Sequence, residues 1–272
     1  MSGDEYRRFQ QMLEAASGIL LGDGKEYLVT SRLRKLITDR AFSGLDALIA
    51  ASQRDPSLMN HVVDAMTTNE TLWFRDEHPY KIFRERMLPE IAANGRSVRI
   101  WSAACSTGQE PYSLRMEIEE YRKRNPGKLN QTISILATDI SSSALAVAKE
   151  GQYPHIAIRR GMTDPMLSAY FQKTHDDIWT INNLVRKDIE FRALNLQDSF
   201  NSLGKFDIIF CRNVLIYFSP ETKTNILKRM HALLPVGGYL MLGASESLHN
   251  LPDYYEMVAC HPGIVFRAKA LS

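Results

Sequence analysis

Four short segments carry residue types that could do chemistry together. The first is Trp101-Ser102-Ala103-Ala104-Cys105-Ser106-Thr107-Gly108-Gln109-Glu110-Pro111-Tyr112-Ser113, where an apolar strand runs into small residues and then a helix with Pro111 in its first turn. A pyrophosphate cradle would want three glycines here, and Gly108 stands alone, so dinucleotide binding is disfavoured. By itself the segment also reads as an ordinary tight strand-to-helix connection. The second is Asp139, placed to accept hydrogen bonds from ribose hydroxyls at the tip of a strand or to cap the helix that follows; Ser141 is an alternative cap. The third, Asn195-Leu196-Gln197-Asp198, sets polar side chains beside an apolar one and suits reading an adenine edge while packing its face. The fourth, Cys211-Arg212-Asn213-Val214-Leu215-Ile216-Tyr217-Phe218, ends a strand in Arg-Asn and then aromatics. Arg212 also reads as a surface ion pair, and Tyr217 as a core aromatic with a wet hydroxyl.

Positioning these segments requires a sheet. From residue 98 onward, short apolar runs at 98–101, 133–137, 189–191, 206–210 and 239–242 alternate with amphipathic stretches at 110–124, 142–149 and 220–234. This alternation predicts a doubly wound, mostly parallel α/β sheet. A hairpin of 254–258 and 263–267 across His261-Pro262-Gly263 would add an antiparallel edge. Residues 1–75 instead repeat apolar side chains at helical spacing, as in Phe9, Met12, Leu13 and Ala16 or Leu58, Val62, Val63 and Met66, which predicts a small all-helical N-terminal domain. The sheet domain then occupies 76–272, entered by a helix through Tyr80, Phe83, Met87, Leu88 and Ile91 that should stop at Asn94-Gly95. A small β insertion at about 153–187 breaks the rhythm, with 179–181 and 184–186 read as a hairpin around Asn182-Asn183. Only the first few residues read as loose.

Lys and Arg number 33 against 31 Asp and Glu, a formal charge of +2, too balanced for a surface built to neutralise phosphates. Nucleic acid is therefore not an expected partner. The cysteines Cys105, Cys211 and Cys260 are widely spaced and odd in number, which fits reduced thiols in the cytoplasm and neither a disulfide framework nor a metal cluster. The opening MSGDEYRRFQ lacks an apolar core for export, and no apolar run approaches a membrane span, so no membrane insertion is expected.

Asn69-Glu70-Thr71-Leu72-Trp73-Phe74-Arg75, together with the segments at 101–113 and 210–218, resembles the CheR-type chemotaxis receptor methyltransferases over nearly the whole chain. Three motifs in the same order make the likeness specific. It implies S-adenosylmethionine as methyl donor, S-adenosylhomocysteine as product, and glutamate carboxylates of chemoreceptors as acceptors, giving methyl esters. It also implies that Asn69, Thr71 and Arg75 close over the donor and that Glu110 binds its methionine part, with Gly108 among the contacts. Asp139 would take the ribose hydroxyls, Asn195 and Leu196 the adenine end, and Arg212 and Asn213 the floor near the transferred methyl. Arg75 can pair with the donor's carboxylate and Glu110 with its ammonium. A glutamate with a pKa of about 4.3 is already ionised at neutral pH, so no general base is demanded. That agrees with the missing His-Asp or Cys-His signature. Arg212 and Tyr217 are the expected groups to orient the acceptor carboxylate.

Arg32, Arg34 and Lys35 make the helix around 25–40 locally basic, which reads as a solvated face or, by the resemblance, as the surface that docks the Glu-rich methylation helices of receptors. Many relatives also capture a receptor's C-terminal tail by strand addition to the β insertion. Here the stretch from Tyr170 to Phe191 is shorter and lacks a Gly-containing turn, so weak or absent tail binding is expected. A nucleic-acid or small-molecule methyltransferase is disfavoured by the charge balance and the missing aromatic and basic stripe. A non-catalytic S-adenosylmethionine-binding adaptor is disfavoured by the intact ligand set.

Overall fold

The computed structural model describes residues 1–248, 251–261 and 263–271. Helices α1 (Gly3–Ser17), α2 (Glu26–Asp39), α3 (Leu45–Ser52) and α4 (Pro56–Met66) bury the stripes that their spacing predicts, with Phe9, Leu13, Val29, Leu33, Leu48 and Val62 forming one cluster. The chain start is firmer than its composition suggests. Ser2 and Glu5 form a reciprocal capping box, with Ser2 N donating to Glu5 at 2.6 Å and Glu5 N to the Ser2 hydroxyl at 3.2 Å, so the helix begins at Gly3.

Helix α5 (His78–Ile82) passes through a π-helical turn, Phe83–Met87, into α6 (Leu88–Asn94), which ends on Gly95 at φ +65° as Asn94-Gly95 predicts. Then come β1 (Val98–Ala103), α7 (Gln109–Arg124), β2 (Ile133–Asp139) and α8 (Ser142–Glu150). The insertion holds β3 (Gln152–Pro154), α9 (His155–Ile158), α10 (Asp164–Tyr170), β4 (Phe171–His175), β5 (Ile178–Ile181) and α11 (Asn183–Arg186). The chain closes with β6 (Ile189–Ala193), β7 (Ile208–Cys211), α12 (Pro220–Leu233), β8 (Tyr239–Leu242), β9 (Tyr255–Ala259) and β10 (Ile264–Ala268).

The main sheet has seven strands in the order β6-β2-β1-β7-β8-β10-β9, parallel except for β10, which pairs antiparallel with β8 and β9. The doubly wound sheet and its antiparallel closing hairpin are as predicted; Pro262 of the expected turn lies outside the described residues. Side chains alternate between two cores: Ile100, Ile135, Ile208 and Phe210 on one face, Trp101, Leu136, Ile209 and Cys211 on the other. Covering both faces explains the continuous apolar runs.

The insertion is a three-stranded sheet, β3-β5-β4, but its hairpin is not the expected one. Residues 184–186 are helical, and the partners of β5 are β3 and β4, the latter joined through Asp176-Asp177. The cause is local: the Asn182 side chain accepts from Val185 N at 3.2 Å, capping a helical turn that buries Val185. Among the described residues no helix is long and apolar enough to cross a membrane.

Candidate active site

The chain runs from β1 outward to β2 and β6, then returns to place β7 on the other side of β1, so the connections after β1 and β7 leave in opposite directions. A cavity of about 990 Å³, counted with its open mouth, lies over the carboxyl ends of these strands. Ala104 and Ser106 line it after β1, Asp139 at the end of β2, Asn195 and Leu196 after β6, and Arg212 and Asn213 after β7. The roof is the 67–72 segment that leaves the helical domain. Ala104, Ser106 and Asn213 hold positive φ angles of 60°, 51° and 58°, a concentration of backbone strain at one place.

At one end the charges are locked together. Arg212, with a side chain only 2% exposed, donates to Glu110 at 2.9 Å, Asp76 at 2.8 Å and the Arg75 carbonyl at 2.7 Å. It is a buried ion triad, not the surface pair that its sequence context also allowed. Ser102 donates to the other Glu110 oxygen at 2.7 Å. The Tyr80 hydroxyl and Arg212 Nε are buried beside this triad with no hydrogen-bond partner in the protein. Burial pushes the Tyr80 phenol far above its ordinary range, so it stays a donor. Unsatisfied donors on a cavity wall are suited to a ligand's anionic or carbonyl oxygens.

At the other end, Asp139 is almost fully buried and accepts from Ser106 N at 2.7 Å and Ser141 N at 2.9 Å. Ser141 caps α8, accepting from Ala144 N at 3.0 Å, so the capping alternative for Asp139 falls. Two acceptor sites remain on its carboxylate, enough for a vicinal diol. Burial raises its pKa, against the lowering effect of those backbone amides. Asn195 donates to the Ala16 carbonyl at 2.9 Å, which ties the end of α1 to the cavity, and Leu196 gives an apolar wall.

The roof is latched at several points. Asn69 donates to the Ser141 hydroxyl at 3.2 Å and its carbonyl accepts from Ser106 Oγ at 3.0 Å, while Asp64 accepts from Ser141. Trp73 stands edge-on to Tyr153 and Phe171 of the insertion, with centroids 5.0 and 5.2 Å away. Thr71 and Arg75 line the cavity, Arg75 donating to Glu70 O at 3.0 Å. Tyr217 is half-buried on the wall, outside the buried core clusters, and its carbonyl accepts from Leu20 N at 2.8 Å.

Two expected contacts sit elsewhere. Gly108 is off the cavity wall: it stands at φ +93° before α7, where a Cβ would lie 2.9 Å from Ala148 Cβ, so it serves close packing. Arg32 is not free on the basic face of α2. Its guanidinium donates to Met66 O at 2.5 Å, Thr67 O at 3.1 Å and Thr68 Oγ1 at 2.9 Å, holding the start of the roof and leaving Arg34 and Lys35 exposed. Sequence reasoning also missed Tyr80, absorbed into an apolar helical stripe, and Asp76, one residue beyond the 69–75 motif.

No histidine or lysine lines the cavity among the described residues, and burial holds the Cys105 thiol protonated. Nor do His, Cys, Asp and Glu side chains cluster into a metal-binding group there. A charged end rich in hydrogen-bonding groups, a free-acceptor carboxylate and apolar walls between them fit a zwitterionic nucleoside.

Comparison with known proteins meets the same chemistry. The family model for the CheR methyltransferase SAM-binding domain matches residues 69–264, and that for the CheR methyltransferase all-alpha domain matches residues 4–67. The chain is 52% identical to "Chemotaxis protein methyltransferase 1" of Pseudomonas aeruginosa over 268 residues, 97% of this chain and 98% of that protein. It is 49% identical to "Chemotaxis protein methyltransferase Cher2" of Pseudomonas putida over 269 residues, 97% of this chain and 98% of that one. "Chemotaxis protein methyltransferase" of Vibrio parahaemolyticus is 49% identical over 271 residues, 99% of this chain and 98% of its own length. With both family domains matched in order and the cavity formed where they meet, the chain belongs to the CheR methyltransferase family.

Proposed function

We propose that this protein transfers the methyl group of S-adenosylmethionine to glutamate side-chain carboxylates of cytoplasmic chemoreceptor helices, forming methyl esters. The observation that carries the choice of acceptor is the cavity's lack of a base. Of the acidic groups on its wall, Glu110 is engaged by Ser102 and Arg212, Asp139 accepts from two backbone amides and keeps room only for ligand hydroxyls, and Glu70 is exposed and paired with Arg160 at 3.2 Å. An amine or hydroxyl acceptor would need a proton removed, whereas a carboxylate arrives ionised.

S-adenosylmethionine, when bound, supplies an electrophilic methyl on a sulfonium. In this reading Asp139 holds the ribose hydroxyls, Leu196 packs the base, and Glu110 and Arg75 take the ammonium and carboxylate of the amino-acid part. Asn69 and Thr71 close the roof and exclude water. The protein's remaining task is orientation, since alignment of the reacting groups is a large share of what such an enzyme contributes. Tyr217, on the cavity wall, donates to the incoming carboxylate, and Arg212 sets the field beneath it without discharging it, being already paired. Tyr217→Phe should lower kcat roughly 10-fold and leave S-adenosylhomocysteine affinity within about 2-fold, as expected for a contact made only with the acceptor.

Arg34 and Lys35 on α2 are the proposed docking cations for acidic receptor helices. Steering by exposed charge is screened by salt, so kcat/KM should fall at least about 5-fold between low salt and roughly 0.3 M, and Arg34→Glu with Lys35→Glu should flatten that dependence. Tail capture by the insertion is expected to be weak or absent. The function itself is tested by tritiated methyl transfer to receptor-containing membranes. Label released as methanol by mild base supports an ester, base-stable label refutes a carboxylate acceptor, and no label refutes the receptor as substrate.

A further inference from the structure

We infer that Glu246 is a positioning residue of the transfer site, acting through the turn that carries Tyr217 to the cavity wall; this rests on the proposed role of Tyr217. Glu246 does not line the cavity, yet its carboxylate gathers four backbone amides. One oxygen accepts from Asn213 N and Gly243 N, both at 2.8 Å, and the other from Val214 N at 2.9 Å and Leu215 N at 2.8 Å. Strand β7 ends at Cys211, and no other protein group accepts from the amides of residues 213–215 among the described residues. The left-handed backbone at Asn213, φ +58°, is thus held by a single side chain.

The approach is built for closeness. A Cβ on Gly243 would lie 2.7 Å from the Glu246 oxygen and 2.9 Å from Asn213 N, so β8 delivers the carboxylate through a position where only glycine fits. Immediately beyond, Leu215–Tyr217 forms one 3-10 turn, which places Tyr217 on the wall. An ionised carboxylate is acceptor-only and can satisfy all four donors, whereas a carboxamide of the same shape offers one accepting oxygen and turns an N–H donor toward two others.

Glu246→Gln tests this with three measurements on the full chain. The expected results are a kcat lower by roughly 10-fold or more, S-adenosylhomocysteine affinity within about 3-fold, and amide exchange at 213–215 faster by at least about 10-fold while α12 is unchanged. A kcat within about 2-fold of the parent overturns the inference, as does an affinity loss equal to the kcat loss or a loosening shared by α12, which mark a merely structural role. If the parent protein itself transfers no methyl, the functional reading fails separately, and unchanged exchange at 213–215 in the variant is then the result that overturns this one.

Discussion

Arg212→Ala should abolish measurable methyl transfer and lower the thermal midpoint by roughly 10 °C, the largest combined effect of any single change in the site. The guanidinium is the hub between three elements: the residue just after β7 carries it, α7 supplies Glu110, and the segment before α5 supplies Asp76 and the Arg75 carbonyl. Removing it leaves the Glu110 carboxylate, its side chain 12% exposed, without its charge partner, whereas Asp76 at 32% is relieved in part by water. Truncating one partner of a buried pair costs about 3–5 kcal/mol, and a domain of this size loses about 2–4 °C per kcal/mol. Activity should fall further than stability alone explains, because the roof loses its anchor at Arg75 and Asp76. Arg212→Lys restores a charge but not the fork that reaches two carboxylates and a carbonyl, so it should recover most of the midpoint and little of the activity. Scanning calorimetry and transfer assays well below the variant's midpoint separate the two. An Arg212→Ala protein melting within about 2 °C of the parent would contradict the buried triad.

Asp139→Ala should weaken S-adenosylhomocysteine binding by roughly 100-fold or more, since two hydrogen bonds to a charged acceptor are worth about 1.5–3 kcal/mol each. The substitution also strips partners from Ser106 N and Ser141 N, so a modest loss of stability accompanies it. Burial raises the pKa of Asp139, and the sign of the consequence follows. Its ionised form is the better acceptor for hydroxyls, so ligand affinity should decline as pH falls through that raised pKa, earlier than an exposed aspartate would allow. Stability runs the other way: burial favours the protonated form, so this group's contribution is present at low pH and lost as pH rises through the folded pKa. Titration calorimetry across acidic pH should find the affinity decline in the parent and its absence in Asp139→Ala.

The legible parts of this molecule are those written in local patterns. Runs of apolar residues alternating with amphipathic helices were enough for the doubly wound sheet, because burial on both faces forces such runs. The strand ends then carried Asp139, Asn195, Arg212 and Asn213 to one cavity, as the topology requires. What stayed hidden depended on side-chain geometry across long separations. Arg32 reads as a free cation beside Arg34 and Lys35, yet its reach to Met66 and Thr67 turns it inward. The stretch at 184–186 has strand-like residues, but a cap from Asn182 makes a helical turn cheaper than a hairpin. Glu246 lies far along the chain from Asn213, and only the adjacency of β7 and β8 brings the four amides to one carboxylate.

Calorimetric titration of the unsubstituted protein with S-adenosylhomocysteine tests most directly whether the cavity over β1, β2, β6 and β7 holds the methyl donor. Saturation near one equivalent, with the affinity collapsing in Asp139→Ala, is the predicted result. A protein that gives no heat of binding, or an Asp139→Ala variant that binds as tightly as the parent, would contradict it.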